Sequence, residues 1–268
     1  MQRLAVPVYF ALAFAISWVA MTVAVGDAGF PMDPDDAAIV GGAALLGPTG
    51  AGLLMTARTG GKAGLRSLIR SLIRWRVAWR WYAVALLTAP VTAFAVLMIL
   101  AQGAPEFSPA ILNVDAPVTF LLSGLAAGVA VGLFEEIGWS GFAIPRMLAR
   151  RGPLGVGLVV GVLWGLWHLP MFWEVDSFAG GLPLAVLLAR LFAWLPPYRA
   201  LMAWVYENTE SLLVVVLMHV SLVTSLMCVE PALERDAVLT YVLVRGAVLW
   251  AIVGVLAAVR RRASRRAA

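Results

Sequence analysis

The sequence predicts an all-α, polytopic membrane helical bundle of about eight transmembrane helices, and three observations carry that reading. Of 268 residues, 62% are hydrophobic and 13% charged, against roughly a quarter charged in soluble domains, and the mean hydropathy is +0.90. The apolar residues fall in runs of about 20, the length an α-helix needs to cross a hydrocarbon core about 30 Å thick. The charges lie between those runs, acidic loops alternating with basic ones, which is the positive-inside pattern and places both termini in the cytoplasm. A pI near 10.0 would suit a nucleic-acid binder, but the basic residues gather in short loops and at the C-terminus. The expected partner is therefore the lipid bilayer, probed by positive charge from one side, and no nucleic acid.

The first span, about 6–25, follows Arg3 and exceeds the roughly 7–15 apolar residues of a cleaved signal, so it reads as an uncleaved helix. Asp27, Asp33, Asp35 and Asp36 follow without a basic residue and mark an outer loop. The second span, about 37–56, holds Gly41, Gly42, Gly47, Pro48 and Gly50, small or kinking residues that let helices approach closely. From Arg58 to Arg80, Arg66, Arg70 and Arg74 fall four apart on one face, which predicts an amphipathic helix in the cytoplasmic interface. The third span, about 81–101, leads to Glu106 and Asp115. The fourth runs from about 117 through Glu135 and Glu136 toward Pro145, and Arg146, Arg150 and Arg151 mark the turn after it.

The fifth span, about 154–173, carries His168 and exits at Glu174 and Asp176. The sixth begins near Pro183, contains Arg190 and meets Pro196-Pro197, which should break or kink it, leaving Tyr198–Ser211 as a short returning segment. The seventh, about 211–229, carries His219, and the eighth, about 237–259, ends in a tail with Arg260, Arg261, Arg262, Arg265 and Arg266. Cys228 is the sole cysteine, which excludes an intrachain disulfide and reads as a buried thiol in an apolar run. No stretch between spans is long enough for a second domain, so residues 1–268 are expected to form one transmembrane domain in a bacterial inner membrane.

The chemistry should lie at Glu135 and Glu136. An ionised carboxylate deep in a bilayer costs roughly 2.5–3.5 kcal/mol on insertion scales, so a pair of them marks a functional site. Their side chains project about 100° apart on a helix and so divide roles, and like charges this close in low dielectric disfavour double ionisation. A carboxyl tuned in that way suits a general base or acid. His168 and His219 are the only histidines of the chain, and both fall inside spans.

Three motifs share a resemblance. The first is Glu135–Arg146, reading Glu-Glu-Ile-Gly-Trp-Ser-Gly-Phe-Ala-Ile-Pro-Arg; the second is Trp164-Gly-Leu-Trp-His168; the third is His219 with the approach Trp204–Leu212. In order, spacing and context they resemble the CPBP family, the CAAX prenyl proteases and bacteriocin-processing, Abi-like proteins, with a CPBP-like core of about 117–229. The resemblance implies an intramembrane endopeptidase, a metalloprotease or a glutamate protease, that cleaves a membrane-associated protein or peptide. Glu135 would activate water, with Glu136, His168 and His219 completing the catalytic set and Trp164 in support. Two imidazoles and a carboxylate, His168, His219 and Glu135, would suit Zn2+ with an open position, and the same residues work without metal.

The motifs also depart from the family pattern. Ser140 stands where Glu-Glu-x-x-x-Arg places an arginine, and Val223 where His-x-x-x-Asn places an asparagine thought to hold the oxyanion; Thr224, next door, is the candidate substitute. Glu136 must then be protonated, hydrogen-bonded to Ser140, or paired with a basic residue of another span, and Arg245 is expected to be that partner ahead of Arg190. The departures also motivate an alternative, a catalytically impaired membrane factor in immunity or assembly. A proton-coupled transporter is a third reading, since intramembrane Glu and His also build proton relays, and the lack of inverted repeats counts against it.

Overall fold

The computed structural model describes residues 4–267; Arg3 and the side chains of Arg265 and Arg266 lie outside what it describes. Among the described residues the chain is helical and without strands. Six segments of the described residues are long and apolar enough to cross a membrane: Ala5–Ala28, Pro34–Leu72, Trp79–Leu100, Pro117–Leu148, Gly181–Thr209 and Arg235–Arg262. The shorter apolar helices Pro153–Trp167 and Leu212–Cys228 complete the eight expected spans, and the protein is a polytopic helical bundle.

In chain order the helices are α1 (Ala5–Val25), α2 (Ala37–Ala44), α3 (Leu46–Leu72), α4 (Trp79–Leu100), α5 (Pro117–Gly138), α6 (Ile144–Leu148), α7 (Pro153–Trp167), α8 (Leu169–Phe172), α9 (Gly181–Phe192), α10 (Leu195–Thr209), α11 (Leu212–Cys228) and α12 (Arg235–Ala267). A π-helical turn, Trp139–Ala143, joins α5 to α6. Such turns widen a helix locally and frequently accompany functional sites.

Two seams of small residues position the site. On α5, Gly124, Gly128 and Gly132 recur every four residues and therefore share one face. A Cβ at Gly128 would collide with the Val220 carbonyl of α11, and one at Gly132 would crowd Val216 and Val220, so α5 and α11 lie backbone to backbone. With no hydrophobic drive between helices in lipid, close approach of this kind holds a bundle together through packing. The same four-residue series continues to Glu136 and Ser140, so the glycine stripe delivers the second glutamate directly to α11. The other seam sets Gly157 and Gly161 of α7 against Ala200, Arg199 and Pro196 of α10.

Two expectations need correction. The amphipathic segment is not a separate helix over Arg58–Arg80: α3 continues to Leu72, bent at Gly61, whose φ of 56° lies in the left-handed region that glycine tolerates. Its apolar face does not simply rest on lipid, because Leu68 packs with Leu212, Val216 and Val220 beneath the site. The segment after Pro196-Pro197 is likewise no short returning connection. The prolines occupy the first turn of α10, where their missing amides cost nothing, and so start a helix after α9 ends. Residues Leu195–Ala203 of α10 are buried, which places Arg199 in the core.

Candidate active site

Glu136 is fully buried, with 0% of its surface exposed, and both its oxygens are engaged. Oε1 accepts from Arg199 Nη1 at 2.6 Å and faces His219 Nδ1 at 2.7 Å, while Oε2 accepts from the Ser140 hydroxyl. The Ser140 bond follows from the i, i+4 spacing on one helix face. The expectation that another span supplies an arginine holds, but its identity does not. Arg245 pairs with Glu230 and lies over Trp194, and Arg190 pairs with Glu174 at 2.6 Å, both beside the acidic loops. Arg199 takes the role because α10 is a buried helix, and sequence reasoning missed it by reading that stretch as a connection. The signal was present in the proline pair, which serves a helix start as well as a helix stop.

Glu135 is 2% exposed and points away from Glu136 around the helix. Its Oε2 accepts two indole N–H groups, from Trp164 at 2.7 Å and Trp139 at 3.1 Å. Trp139 is four residues ahead on the same helix face and was also missed, although its spacing is legible. Trp164 is the hub. Its ring meets His168 and His219 edge-on, with centroids 5.2 and 5.4 Å away, and the Arg199 guanidinium lies 4.0 Å from its centroid. A cation on an indole face in a desolvated site is worth about 2 kcal/mol.

The two histidines are oriented differently. His168 ends α7, and its Nδ1 lies 2.7 Å from the Trp164 carbonyl, which can only accept. That nitrogen therefore carries the proton, and Nε2 keeps a free lone pair. His219 is 1% exposed and turns Nδ1 to Glu136, leaving its Nε2 outside that bond. His168 is partly exposed, unlike the other three.

Three of these groups, Glu135, Glu136 and His219, offer ligand atoms within 4.8 Å of one another, so a buried set that could hold a metal is present. It differs from the expected set, because His168 is not one of the three. Two carboxylates and an imidazole fit a divalent ion in donor type and spacing. Thr224 does not join the group: its hydroxyl donates to Val220 O at 2.8 Å, with Gly124 O at 3.3 Å, on the α5–α11 seam.

All the clustered residues fall within 117–224, and that stretch matches the family model described as type II CAAX prenyl endopeptidase Rce1-like. This core is similar to CPBP family intramembrane proteases. Among curated relatives, the CAAX prenyl protease 2 of Methanococcus maripaludis is 26% identical over 106 residues, 38% of this chain and 37% of that protein. The chain thus spans little more than a third of the length of that relative.

One further property of the core bears on its chemistry. Arg199 Nε and Nη2 are buried and make no hydrogen bond among the described residues. An orphaned buried donor costs about 1–3 kcal/mol, and a charged one more. Such donors are normally retained where something else, a bound water or a reacting oxygen, uses them.

Proposed function

We propose that the protein is an intramembrane endopeptidase that cleaves a peptide bond of a membrane-associated protein or peptide. The observation that carries this reading is the buried Glu135 carboxylate, fixed by two indole N–H groups beside the Glu136–Arg199–His219 unit inside the CPBP-like core. Glu135 takes a proton from water, the resulting hydroxide attacks the peptide carbonyl, and the proton passes to the amine as the C–N bond breaks. His168, with Nε2 free, relays that proton. His219, with Nδ1 facing Glu136, turns Nε2 toward the oxygen that becomes negative, and the unpartnered nitrogens of Arg199 supply donors in place of the asparagine that Val223 replaces. Preorganised donors in a water-poor site need no reorganisation during the reaction, and a single one is worth about 2.7–4 kcal/mol.

In a second reading, favoured by the spacing of Glu135, Glu136 and His219, these three hold a divalent metal ion. When bound, such an ion would polarise the carbonyl and lower the pKa of water. Arg199 favours the first reading, because a guanidinium 2.6 Å from Glu136 already balances one carboxylate charge. Chelation tests the choice: the metal-free reading expects purified protein to retain activity in chelator, whereas loss of activity restored by Zn2+ would establish the metal reading. The chain acts as one transmembrane unit of a bacterial inner membrane with both termini cytoplasmic, a placement supported by its loop charges. The comparisons lend no support to a transporter or to a non-catalytic immunity or assembly factor.

A further inference from the structure

A cavity of about 750 Å³ opens between α1, α3, α6 and α7, and none of the carboxylate–imidazole group lines it. Its inner wall is apolar, built from Val6 and Phe10 of α1 and Val159 and Leu163 of α7. Val159 and Leu163 lie six and ten residues past Pro153, about 9 and 15 Å along the helix at 1.5 Å per residue. Its mouth carries Arg146, Arg150 and Arg151, and no acidic residue lines it among the described residues. Arg146 is already fixed: Nη1 donates to Phe142 O at 2.9 Å, Nη2 to Thr59 Oγ1 at 3.2 Å, and the guanidinium lies 3.8 Å from the Phe142 ring centroid. Arg150 and Arg151 are exposed; their backbone amides donate to Met147 O, and their side chains make no hydrogen bond or ion pair among the described residues.

We propose that this cavity binds an anionic phospholipid, its phosphate at Arg150 and Arg151 and one acyl chain along Phe10, Val159 and Leu163. The occupant must be negative at one end and apolar for the remainder. A peptide meets the first condition but would bury backbone N–H and C=O groups against a wall that offers them no partner. An acyl chain has none to satisfy. The volume lies within the roughly 300–1,000 Å³ range of built ligand sites, and basic pockets between helices at the positively charged membrane face suit lipid phosphates. Arg146, held by Thr59 of α3 and by Phe142 of the π-helical turn, ties occupancy to the packing of α3 against that turn. This inference does not depend on the protease reading.

The test uses the full chain purified in detergent and native mass spectrometry, with phosphatidylglycerol, phosphatidylcholine of the same chains, and inorganic phosphate as probes. The expected result is one retained phosphatidylglycerol per chain. Arg150→Gln and Arg151→Gln should each weaken it about fivefold, equivalent to about 1 kcal/mol per surface arginine. Val159→Trp, which fills the inner wall, should abolish retention, and Leu163→Phe serves the same end if the tryptophan variant does not fold. Equal retention of phosphatidylcholine, untouched by the arginine changes, would overturn the headgroup assignment. Competition by inorganic phosphate as strong as by the lipid would show a free-anion site, and retention indifferent to both wall variants would place the lipid elsewhere on the bundle; either result overturns the proposal.

Discussion

Arg199→Met strands Glu136, and the consequence can be worked from the geometry. Both side chains are 0% exposed, and Arg199 Nη1 lies 2.6 Å from Glu136 Oε1. Removing one partner of a buried pair leaves an uncompensated charge and costs about 3–5 kcal/mol. Loss of the cation over Trp164 adds up to about 2 kcal/mol, and His219 and Ser140, which remain on the carboxylate, limit the total. Replacing both charges together, Arg199→Met with Glu136→Gln, should recover most of the loss, since apolar or neutral replacements of buried pairs are often close to neutral. Ser140→Arg should recover part of it by another route, because position 140 sits one turn from Glu136 on the same face. The assay is reversible unfolding in detergent of the purified wild type and the three variants. A cost for Arg199→Met below about 1 kcal/mol, or no recovery from either second change, would refute the buried pair as the element that holds Glu136 ionised.

Other outcomes follow from the same structure. Gly128→Leu drives a side chain into the Val220 carbonyl and should separate α5 from α11, destabilising the fold by about 1–3 kcal/mol or more, read in the same unfolding assay. Asp176, in the loop after α8, is held below the usual aspartate range by hydrogen bonds from Arg235. Its folded value is the lower one, so its contribution is present above the ordinary aspartate pKa and is lost as pH falls through the folded value. Asp176→Asn should therefore lower stability at neutral pH, converge with the wild type below the folded aspartate value, and so flatten the acid limb of stability against pH. A cysteine placed at 30–36 should react with a membrane-impermeant thiol reagent on intact cells, and one placed at 62–74 should not; the reverse pattern would invert the orientation.

The eight apolar runs were legible because each records one local requirement, enough apolar length to cross a bilayer. Glu135, Glu136, His168 and His219 were legible for the complementary reason, that polar groups in such runs are too costly to be incidental. Arg199 was not, because its meaning depends on a pairing with Glu136 across 63 positions of chain, which no local pattern encodes. The proline pair compounded this, since prolines end one helix and begin another with equal ease. Arg245 was expected at Glu136 from span membership alone, yet Glu230, in the loop just after α11, pairs with it instead. The glycine stripe of Gly124, Gly128 and Gly132 could have been read further: extended by fours, it runs to Glu136 and Ser140 and predicts the helix seam that the second glutamate enters.

The central claim, that Glu135 is the general base of an intramembrane endopeptidase, is tested most directly by comparing protein termini in membranes from cells carrying the wild-type chain or Glu135→Gln. Glutamine keeps the shape and accepts the same indole hydrogen bonds but cannot take a proton from water, a loss typically of about 10²–10⁴-fold. With both proteins inserted at equal level, the account predicts at least one peptide terminus that is present with the wild type and absent with Glu135→Gln. Identical sets of termini from the two would contradict it.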